Sequence, residues 1–208
     1  DRLLMTKDAT IAEIHHRVKN SLQTASSLLQ LQSRRVASTD AKAALAESAR
    51  RIRTIGVVHE LLSHRTDDEV QFGEVLKMLT TMIRDALIDP TSPVEFVIDC
   101  DPAILPNNLT TPLALIASEL VQNAIDHAEC TTVTVRLQTQ PDAVVLAISD
   151  NGKGFPNPDE PVPAADSSGL GMTIVGTIAQ SELGGSMTIG DNEPGALITV
   201  RVPLFDER

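Results

Sequence analysis

Glu13-Ile14-His15-His16-Arg17-Val18-Lys19-Asn20-Ser21-Leu22-Gln23 is the stretch on which the reading of this chain turns. It lies in a breaker-poor run from about residue 3 to about residue 36 that reads as one long helix. At about 100° per residue, Ile11, Ile14, Val18, Leu22, Ala25 and Leu29 share one narrow stripe. His16 projects roughly opposite that stripe, with Glu13 three positions before it and Asn20 four after. His15 falls at the stripe's edge, where packing covers it. An imidazole presented to solvent beside a carboxylate and an amide suits a nucleophile: one ring nitrogen attacks while the other N–H is held by an acceptor.

Downstream, Ser38-Thr39-Asp40 offers a turn and a helix N-cap. A second helix is expected to about residue 64, with Leu45, Ile52 and His59 spaced by seven and Ser48, Ile55 and Leu62 interleaved. Two such helices with a short connection make an antiparallel hairpin, which cannot bury its own stripe. Pairing two hairpins into a dimeric four-helix bundle is the natural solution. His59, on the second helix's apolar stripe, is expected to be buried and structural. The hairpin fills residues 1–68, a dimerisation unit on this reading.

Residues 69–208 have a different character. Phe72 to Leu87 reads as a helix stopped by Asp89-Pro90. Val94 to Ile98 alternates like a strand, and Leu109 to His127 is helical, opened by a Thr-Thr-Pro first turn. Thr132–Leu137 and Ala143–Ser149 read as strands around Gln140-Pro141-Asp142. A helix over Gly169–Leu183 closes at Gly184-Gly185, and Ser186–Ile189 with Ala196–Val202 forms a last hairpin. The expectation is an α+β sandwich, one sheet covered by helices on one face.

Composition narrows the function classes. Among 208 residues, 42% are hydrophobic but only 2% aromatic, so the core is built from aliphatic side chains. A formal charge of −11 argues against a nucleic-acid surface, although backbone N–H groups and a metal still serve a bound nucleotide locally. Cys100 and Cys130 make no disulfide framework and no metal-type spacing, which fits a reduced, cytoplasmic setting. No apolar run is long enough to span a bilayer. The helical pattern starts within a few residues of Asp1, as expected of a fragment whose upstream sensor domain was removed.

Three segments of the second half carry chemistry together. In Glu119-Leu120-Val121-Gln122-Asn123-Ala124-Ile125-Asp126-His127, residues Glu119, Asn123 and His127 share one helical face. A helix-borne amide oxygen is a good hard ligand for Mg²⁺, which takes its other ligands from water and phosphates. Asp150-Asn151-Gly152-Lys153-Gly154-Phe155 follows a strand directly. An acid there accepts a hydrogen bond from an exocyclic amine such as adenine N6, and the glycines let the backbone approach a flat ring. Ser168-Gly169-Leu170-Gly171-Met172 opens a helix whose first N–H groups suit a phosphate. Between the last two, Pro156, Pro158, Pro161 and Pro163 mark a stretch that reads as a mobile lid.

In this order and spacing the three segments resemble the N, G1 and G2 boxes of the Bergerat-fold (GHKL) ATPases, a superfamily of gyrase, Hsp90, MutL and histidine kinases. The likeness covers about residues 105 to 204. His16-Arg17-Val18-Lys19-Asn20 with Leu22-Gln23 resembles the H-box of HisKA_2-type sensor histidine kinases, and Arg51-Ile52 through Val58-His59-Glu60-Leu61-Leu62 resembles that family's second helix. The chain is similar to the soluble actinobacterial sensor kinases of this subgroup. The resemblance implies that His16 is the phosphoacceptor and that Asn123 is the Mg²⁺ ligand, and helix geometry offers Glu13 or Asn20 to orient the imidazole. It implies that Asp150 reads adenine and that Gly152 and Gly154 admit the ring. Gly169 and Gly171, with Leu170 and Met172, would form the lid hinge and phosphate turn, and Glu119 and His127 would flank the triphosphate.

The chain departs from the family at three places. Asp126-His127 stands where many kinases have a Lys, Ala196 replaces a frequent Thr, and Ser21 replaces the second Asn of an Asn-Asn pair. The implied activity is ATP-dependent autophosphorylation, with ATP and Mg²⁺ as cofactors. Phosphotransfer to a response regulator receiver domain follows, the regulator often carrying an RNA-binding antiterminator output. A GHKL-type ATP hydrolase and a degenerate kinase serving as a docking scaffold are the rival readings.

Overall fold

A computed structural model of the chain describes residues 2–63, 69–87, 94–154 and 169–204. The side chains of residues 2–13, 15, 16, 58, 60–63, 69, 85–87, 169, 170 and 191, Glu13, His15, His16 and Leu170 among them, lie outside the described set. The chain divides into two compact units, 1–68 and 69–208.

The first unit pairs α1 (Arg2–Ser33) with α2 (Thr39–Ser63). Leu22 lies beside Gly56 and the Ser26 hydroxyl donates to the Ala49 carbonyl at 2.9 Å, so the helices run antiparallel. Helix α1 stops at Ser33, short of the expected end near residue 36. Ser38 caps α2, its carbonyl accepting from Lys42 N–H and its hydroxyl from Ala41 N–H. The tightest points of the seam are small: Ser26, Ser33, Ala49 and Thr54 are buried. The apolar stripe of α1 is covered only in part by α2. Val18, Leu22, Ala25 and Leu29 are half-buried, whereas Ile14, Leu28 and Leu31 are more than half exposed. His59 is half-buried rather than buried.

In the second unit, β1 (Glu69–Gln71) pairs antiparallel with β3 (Ile104–Pro106) in a small sheet that the sequence does not announce. Helix α3 (Phe72–Leu87) follows, its start tied to Ala103 O by Phe72 N–H at 2.9 Å. Phe72, Val75, Leu76, Leu79 and Ile83 recur at helical spacing on its buried face.

The main sheet has five strands: β2 (Glu95–Cys100), β4 (Thr132–Gln140), β5 (Ala143–Asp150), β6 (Ser186–Asp191) and β7 (Ala196–Pro203), in the order β2-β4-β5-β7-β6. All pairs are antiparallel except β2 with β4. Alternation sends Val133, Val135 and Leu137 of β4, Val144, Leu146 and Ile148 of β5, and Ile198, Val200 and Val202 of β7 to one buried face. Helices α3, α4 (Asn107–His127) and α5 (Gly169–Thr177) and the π-helical turn Ile178–Glu182 pack with these strands. The α+β architecture with a helix-covered sheet is therefore present.

Several strands run one to three residues beyond their expected ends, and two helices of this unit differ from expectation. Helix α4 begins at Asn107, so Pro112 lies inside it rather than in its first turn. There Pro112 removes only the N–H that would reach the Asn108 carbonyl, while the Thr110 hydroxyl donates to Pro106 O. The last helix changes to π geometry after Thr177, and Gly184 follows at φ 58°.

Candidate functional site

Asp150 is the last residue of β5 and stands in phase with Leu146 and Ile148, so its carboxylate points to the face that carries the buried aliphatic side chains of β4, β5 and β7. It is 6% exposed. A buried carboxylate needs donors. Oδ1 accepts from Gly152 N–H at 2.8 Å and from Ala196 N–H at 3.4 Å. The turn after Asp150 is strapped to the end of α4. Lys153 N–H donates to Ala128 O at 2.9 Å, and a Cβ at Gly152 would run into that carbonyl, so only glycine fits.

Asn151, which the sequence reading leaves without a role, supplies a second strap. Its Oδ1 accepts from the N–H groups of Thr131 and Thr132, each at 2.9 Å, and its Nδ2 donates to Thr131 Oγ1 at 2.9 Å. Lys153 pairs with Glu129 at 2.7 Å on the surface and holds that carboxyl below the usual carboxylate range. Burial pushes the Cys130 thiol up, and the nearby Asp150 carboxylate adds to the shift.

On α4 the polar side is buried at Ser118, Glu119 and Gln122, with Glu119 7% exposed, and becomes solvated only at Asp126 and His127. Gln122 donates to Asp126 Oδ1 at 2.8 Å. Helix α5 starts at Gly169, and its third residue, Gly171, meets this side of α4 directly. A Cβ at Gly171 would stand 3.3 Å from Glu119 Oε2 and 3.4 Å from Asn123 Oδ1. The first turn of α5 thus lies next to a carboxylate and an amide. Asn123 Nδ2 is buried without a hydrogen-bond partner among the described residues.

The fold brings Glu119, Asn123 and Gly171 together. Separately, it gathers Asp150, Gly152 and Gly154 around the β5 end. His127 is exposed at the last turn of α4. Met172 turns to the other flank of α5, where with Gly176, Met187 and Ile189 it lines a groove of about 430 Å³. Asn20 is exposed on α1, and Glu13 and His16 lie on the same helix. The expected lid between Phe155 and Ser168 falls outside the described residues. Among the described residues no cluster of three or more Asp, Glu, His or Cys could hold a metal. A hard cation beside Asn123 would therefore draw most of its ligands from phosphate and water, with the amide Oδ1 as the protein ligand, while the orphaned Nδ2 is a donor suited to a phosphate oxygen.

Residues 13–87 match a family profile described as "Histidine kinase", and residues 108–206 match one described as "Histidine kinase-, DNA gyrase B-, and HSP90-like ATPase". The chain is 38% identical over 211 residues to the sensor histidine kinase PdtaS of Mycobacterium tuberculosis, covering 98% of this chain and 41% of that protein. The Mycolicibacterium smegmatis protein of the same name is 37% identical over the same shares. The chain thus spans about two fifths of the length of these relatives. Among solved structures, the histidine kinase domain of the blue-light activated histidine kinase EL346 of Erythrobacter litoralis superposes with a TM-score of 0.63. Identity there is 20%, over 98% of this chain and 95% of that one, a likeness of fold. No helix among the described residues is long and apolar enough to cross a membrane.

Proposed function

This chain belongs to the histidine kinase family, and from that premise we propose that it moves the γ-phosphoryl group of ATP onto a ring nitrogen of His16. The group then passes to an aspartate of a response regulator receiver domain. The observation that carries the reading is the buried polar junction of Glu119, Asn123 and Gly171, formed in the same unit that presents the Asp150 carboxylate from a β-strand end. Aliphatic packing does not call for these groups, and a nucleotide does.

In the transfer, the N–P bond at His16 forms as the bond from the γ-phosphorus to the β,γ-bridging oxygen breaks. ADP leaves, and the imidazole N–H proton passes to solvent or to Glu13. Glu13 or Asn20 orients the ring. Asp150 accepts from the adenine amine, and Gly152 and Gly154 allow the ring close to the backbone. The N–H groups of Gly169, Leu170 and Gly171 face the phosphates, with Glu119 and His127 beside the triphosphate and Met172 anchoring α5. Asn123 would hold Mg²⁺, which supplies charge neutralisation on the triphosphate. Alignment and electrostatics provide most of the rate in such transfers.

The exposed Ile14, Leu28 and Leu31 of α1 support a homodimer through the hairpin. The regulator carries an RNA-binding antiterminator output on this reading, the signal enters through a sensor domain upstream, and the kinase works in the cytoplasm. A second reading, hydrolysis of ATP by water activated at Glu119, draws on the position of that carboxylate against Gly171.

Incubation with γ-labelled Mg·ATP separates them. Acid-labile label on the protein, lost in His16→Gln and kept in His15→Gln, is the expected result. Steady ATP turnover unaffected by His16→Gln would overturn the kinase reading in favour of hydrolysis.

A further inference from the structure

The loop joining β6 to β7 closes on the end of β5. Asn192 Nδ2 donates to the Asp150 carbonyl at 2.8 Å, and its own N–H donates to Gly195 O at 3.1 Å. Ala196 N–H, one residue further, is the second donor to Asp150 Oδ1. Gly195 has φ 118°, and a Cβ there would collide with the Asp150 carbonyl, so the loop backbone lies directly against that residue. The Gly195 carbonyl in turn stands 2.9 Å from where a Cβ of Gly154 would be. One loop therefore fixes Asp150 through both its backbone and its carboxylate. Oδ1 takes the two N–H donors, and among the described residues Oδ2 is the oxygen left for a ligand.

We propose that Asn192 is a positioning residue for base recognition, holding Asp150 so that Oδ2 selects adenine over guanine. This rests on the assignment of Asp150 as the adenine-reading group. Adenine offers an amine donor at the position where guanine carries a carbonyl acceptor. A carboxylate locked in place accepts from the first and repels the second, and the selectivity depends on how firmly it is held. Asn192 is exposed and hydrogen-bonds Asp150 from 42 residues away. Its amide sets the Asp150 peptide plane and hence the direction of the side chain.

Calorimetric binding of ATP and GTP to the full chain tests this, with Asn192→Ala, the near-isosteric Asn192→Asp that lacks the donor, and Asp150→Asn. The ATP-over-GTP affinity ratio is expected to fall about fivefold in both Asn192 variants, the scale of one hydrogen bond. GTP binding and the thermal midpoint should stay close to wild type. If the ratio is unchanged, or ATP and GTP weaken in parallel, Asn192 only supports the loop and the proposal falls. That failure is distinct from failure of the Asp150 assignment, which is what an ATP preference surviving in Asp150→Asn would show, and it would remove the proposal as well.

Discussion

Gly171 meets Asn123 with no side chain between them: a Cβ on Gly171 would lie 3.4 Å from Asn123 Oδ1. The space a methyl group would fill is the space between a helix start and an amide. An added methyl in a packed junction costs about 1–3 kcal/mol, and here it also intrudes where the phosphates are expected. Gly171→Ala should weaken ATP binding roughly ten- to hundredfold while the sheet stays folded by circular dichroism. Unchanged affinity would move the phosphates elsewhere.

Asn123 is expected to couple nucleotide to cation. In wild type, chelating Mg²⁺ with EDTA should lower ATP affinity. In Asn123→Ala the affinity should already be low and should not respond to EDTA. A variant that still loses affinity on chelation would place the ion on other ligands.

The apolar side chains left outward on α1 predict self-association. Each occurs twice in a symmetric dimer, so replacing one of them removes two buried contacts. At about 2 kcal/mol each, Leu28→Asp or Leu31→Asp should raise the dimer dissociation constant roughly a thousandfold. Sedimentation equilibrium measures this. A dimer of undiminished strength would put the interface on another face.

Cys130 should be a slow nucleophile. Burial and the Asp150 carboxylate both raise its pKa above the ordinary 9.0, so the thiol keeps its proton at neutral pH. The folded state gains from this proton below pH 9 and loses that gain as pH rises through the shifted value. Alkylation by iodoacetamide, followed by mass spectrometry, should be slow at pH 8 and accelerate only above pH 9. Asp150→Asn removes one cause of the shift and should speed the reaction at pH 8.

Much of this architecture is legible in the residues because the signals are long. Phe72–Leu87 carries four turns of apolar spacing, and Thr132–Gln140 and Ala143–Asp150 alternate over eight or nine residues. The three-residue strands β1 and β3 are too short for any period to register, and the parallel pairing of β2 with β4 depends on tertiary packing. Pro112 misled the start of α4 because proline suits a first turn, yet a proline one turn further in is tolerated. For the candidate site, the polar face of α4, the acid after β5 and the glycines of α5 are all visible as motifs. The straps of Asn151 and Asn192 are not, because each reaches a partner about 20 or 42 residues away and leaves no local pattern.

The order in which the chain leaves the ribosome gives the β5–β7 pairing another meaning. Asp150 has its full set of hydrogen bonds only when Asn192 and Ala196 arrive, and β7 is the last strand among the described residues. A nascent chain that has emerged as far as α5 already carries all three segments proposed to bind the nucleotide but not the loop that closes on Asp150. On the proposed assignment, base recognition is therefore acquired only after residue 196 has been made and β5 has paired with β7.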